Sequence, residues 1–428
     1  MTIVQSHKAL AKAWQVIQEN ASTSPSSDIK KEVQDFALNA TGNIIGISTQ
    51  LAKRTFAFGK AKGIPIAKQN ADGSKSKTKF RPIVLASLKA RIVQRAVLDA
   101  LGTVPNLKPF SENAFSFGGI RKRSDDLAAV PAAVHAVIKA AENGARYVMF
   151  ADIRAFFTRI PKPLVIEIVA DAVRDPDFTA LFTQAINVEL ENMAELKEKS
   201  ELFPIEEIGV AQGNSLSPLL GNILLHDFDR RMNEGDCVCI RYIDDFIILA
   251  PNEDAARSRM RRARRILKEL GMELSPEKSS RDPLPIQQRF EWLGIEFHNG
   301  AIRPAPRALT KLEENVKKRF ADSCHGMRTT KPGKPIPRKH SLVATLNRVD
   351  GIIRGWGKHY RFCNDEALFG TVDQRMQVLI RGFIGEYTKI KAKRDAKDAA
   401  SLLGVEELLR QERKPLEWQT SSAATEAV

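Results

Sequence analysis

The chain has 428 residues, 43% of them hydrophobic, which suffices for a substantial core over two or three domains and excludes a disordered chain. Its 66 Lys and Arg against 51 Asp and Glu leave a formal charge of +15, a surplus that points to a polyanion, nucleic acid first, over plain solubility charge. There is no run of about 18 apolar residues and no apolar stretch behind a basic start, so neither a membrane span nor export is expected.

The periodicity predicts a helix over residues 7–19, a polar loop over 20–28, and a second helix over 29–40 capped by Asp28. Two strands, 63–69 and 79–85, flank the basic loop NADGSKSKT, and an Arg-bearing helix follows at 87–101. YVMFADI, 147–153, reads as a buried strand, with helices through the 160s to 190s. After the Gly- and Pro-marked GVAQGNSLSPLLGN, the stretch CIRYIDDFIILA reads as strand, turn, strand. EDAARSRMRRARRILKELG then reads as a helix, and FEWLGIEF as two short strands. From Thr310 the composition changes. A helix, LTKLEENVKKRFADS, leads into RTTKPGKPIPRKHS, which reads as a hinge or nucleic-acid-facing linker, and helices continue to Lys391. The end, TSSAATEAV, is expected to be disordered. Cys237, Cys239, Cys324 and Cys363 fit neither a zinc pattern nor a disulfide framework, which points to a reducing cytoplasm.

Arg257, Arg259, Arg261, Arg262, Arg264 and Arg265 lie on one predicted helix and cannot share a face at 3.6 residues per turn. At least half are expected to be solvated surface, with contact to an acidic partner or a subunit left open.

Two adjacent carboxylates, Asp244 and Asp245, interrupt an apolar β run. Burying them side by side is costly, because each raises the other's pKa. An aspartate-built turn is the ordinary explanation. Asp152, at the end of another apolar strand, weighs against it. Three carboxylates at strand ends of one sheet make an oxygen-only, negative pocket that divalent cations stabilise, Mg²⁺ foremost. Two such ions roughly 3.5–4 Å apart activate a 3′-hydroxyl and stabilise leaving pyrophosphate in an in-line displacement. That chemistry is nucleotidyl transfer.

YVMFADIRAFFTRIP, GVAQGNSLSPLLGNILLHDFD, and RYIDDFIILA followed by LGMELSPEKS resemble, in order and spacing, the palm motifs of reverse transcriptases. KFRPIVLASLKARIVQRAVLDAL resembles their fingers motif, and LNRVDGIIRGWGKHYRFCN the thumb of the group II intron enzymes. The resemblance implies an α+β right-hand polymerase with a palm of antiparallel sheet and packed helices. Its parts would be an N-terminal extension with a template lid (1–62), fingers and palm (63–309), a helical thumb (310–391) and a tail (392–428).

Carried over residue by residue, the resemblance makes Asp152, Asp244 and Asp245 the catalytic ligands of two Mg²⁺, or Mn²⁺, ions, with the Ile153 carbonyl a fourth ligand. Phe157 falls at the steric gate that excludes a ribose 2′-OH, and Gln212 and Gly213 flank the incoming nucleotide. Arg81, with either Lys68 or Lys79, holds the triphosphate; the loop before Arg81 is longer than is usual in the family. Lys278 matches the lysine that protonates pyrophosphate. Tyr242 and Ile243 fall at the primer terminus, and Arg91, Trp356, Lys358, Tyr360 and Arg361 at the bound nucleic acid.

Intron-borne members usually continue into a DNA-binding region and an endonuclease. This sequence has no suitable Cys/His set after the thumb and resembles the free-standing bacterial enzymes, so a cytoplasmic location is expected. Ile243 stands where most members have Ala and is associated with a domesticated, group II intron-like branch. That resemblance implies DNA repair by microhomology-mediated end joining, with anti-phage defence as the alternative. A non-catalytic, maturase-like RNA-binding protein is the reading of another class. The expected partners are an RNA or DNA template, a DNA primer and dNTPs, with no membrane. Residues 20–28 resemble the family's lid and 191–207 a family insertion; both also suit a subunit interface, so a homo-oligomer stays open.

Overall fold

Ser6 and Ser26 start the first two long helices, His7–Ser22 and Ser27–Ala37, their side chains accepting from the Ala9 and Ile29 amides at 3.2 and 3.3 Å. The computed structural model describes the chain except residues 25, 70–73, 120–128, 204–207, 332–333, 407, 409–411, 415 and 417–428. The expected disordered end lies outside the described residues. Asp28 is not the cap expected from the sequence. The helix begins two residues earlier than expected, at Ser27, which puts Asp28 in its first turn, where its charge faces the positive end of the dipole. Of the lid loop expected at 20–28, residues 20–22 and 27–28 are likewise helical.

Strands β1 (Lys62–Gln69) and β2 (Lys75–Leu85) form an antiparallel hairpin, longer than the two short strands expected, with a register shift between Ala67 and Gln69. Its base is clasped by the segment that follows the Pro176–Ile186 helix. Asn192 accepts from the Gly63 amide at 2.8 Å and donates to the Gly63 carbonyl at 3.0 Å, while Leu196 and Phe203 pack with Ala61, Val84 and Ala211. The insertion-like stretch is therefore a brace for the hairpin as far as residue 203; residues 204–207 are outside the described part.

The central sheet is antiparallel in the order β4-β5-β3-β6, with β3 Tyr147–Asp152, β4 Val238–Tyr242, β5 Asp245–Ala250 and β6 Leu284–Pro285. β5 is apolar at every position after Asp245 because both faces are covered. Phe246, Ile248 and Ala250 enter one core with Met149 and Ala151, and their neighbours Ile247 and Leu249 are also buried. The Glu253–Glu269 helix packs on β3 and β5, and the Val130–Glu142 helix on β4.

Two compact units result, Met1–Ile286 and Gln287–Val428. The strands of FEWLGIEF fall in the second unit, as the three-stranded sheet β7 (Phe290–Trp292), β8 (Ile295–His298) and β9 (Ala301–Pro304). That unit's helices, Pro306–Thr329, Leu342–Tyr360 and Glu366–Ala392, share a core in which Phe320 and Phe383 stack at 4.4 Å. Among the described residues no helix is long and apolar enough to cross a membrane.

Candidate active site

Across β3 and β5, Asp152 is the register partner of Asp245. β4 and β5 close as a hairpin with Tyr242 opposite Asp245, so only Ile243 and Asp244 remain in the turn. Ile243 has φ +61°, where tight hairpin turns usually place Gly. A β-branched residue held there costs roughly 1–3 kcal/mol, so its surroundings must over-determine the turn. They do. Arg241 Nη1 donates to the Ile243 carbonyl at 2.8 Å, and the Ile153 amide donates to the Asp244 carbonyl at 2.9 Å. Gly118 lies so close that a Cβ there would sit 2.4 Å from Ile243 Cγ1.

Arg241 is the site residue that sequence reasoning missed. Its side chain is fully buried and forks onto Asp229, Nε to Oδ1 at 2.7 Å and Nη2 to Oδ2 at 2.6 Å. Nη1 also donates to Asn222 Oδ1 at 3.2 Å, and Asn113 donates to Asp229 Oδ2 at 2.6 Å. One signal was available: an arginine inside the apolar run CIRY, since a buried guanidinium needs a carboxylate.

The carboxylates strain one another. Burial first, then the charges of Asp152 and Asp244, push Asp245 up to about 7. Asp244 is raised by burial and then by Asp152. Lys278 Nζ donates to Asp152 Oδ2 at 2.6 Å. Burial opposes that ammonium, but Asp152, then Asp245 and Asp244, outweigh it and hold its pKa above the usual lysine value. With its side chain 60% exposed, Lys278 adds little stability and acts as counter-charge to the acidic cluster.

Among the described residues no three His, Cys, Asp or Glu side chains close into a metal cage of their own. Mg²⁺ seldom uses such a cage; it takes one or two carboxylates and completes its shell with water and substrate phosphate oxygens. The donors here fit that pattern. They are oxygen-only, they repel one another, and Asp152 already draws a cation.

A cleft of about 580 Å³ opens over Asp152 and Asp244, and Lys68, Arg81, Phe157, Gln212, Gly213, Ile243, Ile153 and Lys278 also line it. Of the two lysines left open by the sequence, Lys68 lines this cleft, whereas Lys79 pairs with Glu277 at 2.8 Å. Phe156 is buried against Gly221, whereas its neighbour Phe157 is only partly buried. Gly213, at φ +117°, lies where a Cβ would meet the Val84 carbonyl at 2.7 Å, so only glycine lets β2 come this close. The Val84 amide donates to the Gln212 carbonyl at 2.8 Å and ties the hairpin to the site.

Other expected residues lie elsewhere. Arg91 is in an ion pair with Glu32, which also accepts from the Leu88 amide at 2.9 Å, and so joins two helices. Tyr242 is half-buried, and burial raises its phenol pKa. In the second unit Trp356 packs on Tyr360 at 4.8 Å and Phe369 at 6.0 Å, while Lys358 and Arg361 are exposed. Lys358, two residues on, leaves the helix on the side away from Trp356.

Residues 66–297 match the family described as "Reverse transcriptase (RNA-dependent DNA polymerase)". Protein YkfC of Escherichia coli (strain K12) is 30% identical over 171 residues, 37% of this chain and 39% of that protein, so the match spans about two fifths of that relative. Among solved structures, a partial Cas6-RT-Cas1–Cas2 complex is similar at 20% identity and TM-score 0.33, over 62% of this chain and 41% of that one. Apo telomerase from Candida tropicalis, truncated from its C-terminal domain, is similar at 14% identity and TM-score 0.38, over 58% and 55%. With more than half of its length inside the family match, and with the antiparallel sheet and packed helices of the right-hand polymerase fold, the chain belongs to the reverse transcriptase family.

Proposed function

We propose that the chain is a DNA polymerase that copies RNA and DNA templates from a DNA primer. The carrying observation is the pairing of Asp152 with Asp245 across two strands, with Asp152 and the adjacent Asp244 lining a cleft that Lys68 and Arg81 also line. Asp152, Asp244 and Asp245 would hold two Mg²⁺ or Mn²⁺ ions, which supply activation of the primer 3′-hydroxyl and neutralisation of the leaving pyrophosphate. Lys68 and Arg81 bind and orient the triphosphate from the hairpin side. Lys278, within reach of Asp152, gives a proton to pyrophosphate. Primer extension on RNA and on DNA templates, with Mg²⁺ and Mn²⁺ compared, tests the reading; RNA binding without any synthesis would favour the maturase-like alternative.

Phe157 is the gate against ribonucleotides in this reading. Phe157→Ala is expected to lower the dNTP over rNTP preference by about 10- to 100-fold, the scale of one lost apolar contact. Single-nucleotide kinetics with paired dNTP and rNTP substrates measure it.

The biological role supported by Ile243 is microhomology-mediated repair of broken DNA. A rigid, strained residue at the primer terminus favours short, poorly paired ends over long extension. Ile243→Ala is expected to slow extension from short overlaps several-fold more than from long primers; equal ratios for the two substrates remove the idea. A strain lacking the protein is expected to be sensitive to double-strand breaks. Sensitivity to phage challenge alone would favour defence.

A further inference from the structure

The arginine-rich helix Glu253–Glu269 is the sequence feature the polymerase reading leaves unused. The structure sorts its cations. Arg259 is buried and donates to the Met232 and Glu234 carbonyls at 2.7 and 2.6 Å, Arg262 pairs with Glu234, and Arg257 pairs with Asp282 at 2.7 Å. Arg261, Arg264 and Lys268 have no carboxylate partner among the described residues, and all three are exposed. At 100° per residue they share one face, spread over about 10 Å of helix.

That face borders a cleft of about 660 Å³ that shares no lining residue with the catalytic one. Arg264 and Lys268 line it together with Arg159 and Arg281, and Met272 and Leu274 are the apolar side chains among them. Glu273, the one carboxylate among the described lining residues, already accepts from Arg154 and Arg159, each at 3.1 Å. The result is an elongated positive surface with apolar ground between the charges.

We propose that this cleft and the adjoining helix face bind the sugar-phosphate backbone of a single nucleic-acid strand outside the catalytic cleft. Exposed cations on long stems recognise repeating phosphates without reading base edges. The apolar lining takes the sugars and base faces between them. The spacing along the helix favours a polymer of regular charge over a compact anion. The inference concerns binding alone and goes beyond the polymerase reading.

The test compares the full wild-type chain with the combined variant Arg261→Ala, Arg264→Ala, Lys268→Ala across a salt series. One ligand is a template–primer with a long single-stranded RNA extension; the other is a minimal template–primer without it. On the long ligand the variant's plot of log K against log salt is expected to be shallower by about 2, since each single-strand phosphate contact contributes about 0.7. On the minimal ligand, affinity and single-nucleotide rate are expected to be unchanged, and the thermal midpoint should be unchanged as well. An identical slope for both proteins on the long ligand would overturn the proposal. So would an equal loss on both ligands, which would mean a diffuse field rather than a site. Loss of polyglutamate binding with the long RNA retained would assign the face to an acidic protein instead. Each of these outcomes leaves the primer-extension result standing on its own.

Discussion

Asp244→Asn is expected to lower the rate of nucleotide addition on the order of 10³-fold, about 4 kcal/mol of transition-state stabilisation, while template–primer affinity changes little. The substitution keeps the shape of the turn and the carbonyl that accepts from Ile153, and removes only the charge. Pre-steady-state extension under saturating template–primer measures it, and a loss below tenfold would contradict the assignment.

The same cluster makes the opposite prediction for stability. Asp245 titrates near 7 in the folded chain, far above an unfolded aspartate. The folded state therefore holds more protons than the unfolded state between the two values, and stability falls as pH rises through that window. In EDTA at pH 8, Asp245→Asn is expected to raise the thermal midpoint by several degrees. The gap should shrink when Mg²⁺ is added to the wild type.

The second large effect is at Arg241. Asp229→Ala leaves a fully buried guanidinium without its carboxylate and is expected to destabilise the chain by about 3–5 kcal/mol, read from denaturant unfolding. Arg241→Met combined with Asp229→Leu should recover most of that stability, because an apolar pair of similar volume suits a buried site. It does not recover the bond to the Ile243 carbonyl. The double variant is thus expected to be folded yet slower by about 10- to 100-fold, as the carboxylates lose their fixed placement. Full activity in it would mean that Arg241 holds the core and nothing more.

The acidic site was legible because two apolar runs each ended in carboxylates, a pattern with few stable explanations. Its supports were not. Lys68 and Lys79 are equivalent on paper, and it takes the fold to put Lys68 in the lining of the cleft and Lys79 beside Glu277. Asp229 lies in a helix twelve residues before Arg241, and no periodicity links the two. Helix starts were off by a residue or two because Ser26, in a polar run, caps in place of Asp28.

Electron paramagnetic resonance can count the Mn²⁺ ions that the full chain binds together with template–primer and a non-hydrolysable dNTP. Two ions per chain are expected in the wild type, and loss of both in Asp244→Asn combined with Asp245→Asn. Equal ion counts in the two proteins would contradict the carboxylates' role as metal ligands.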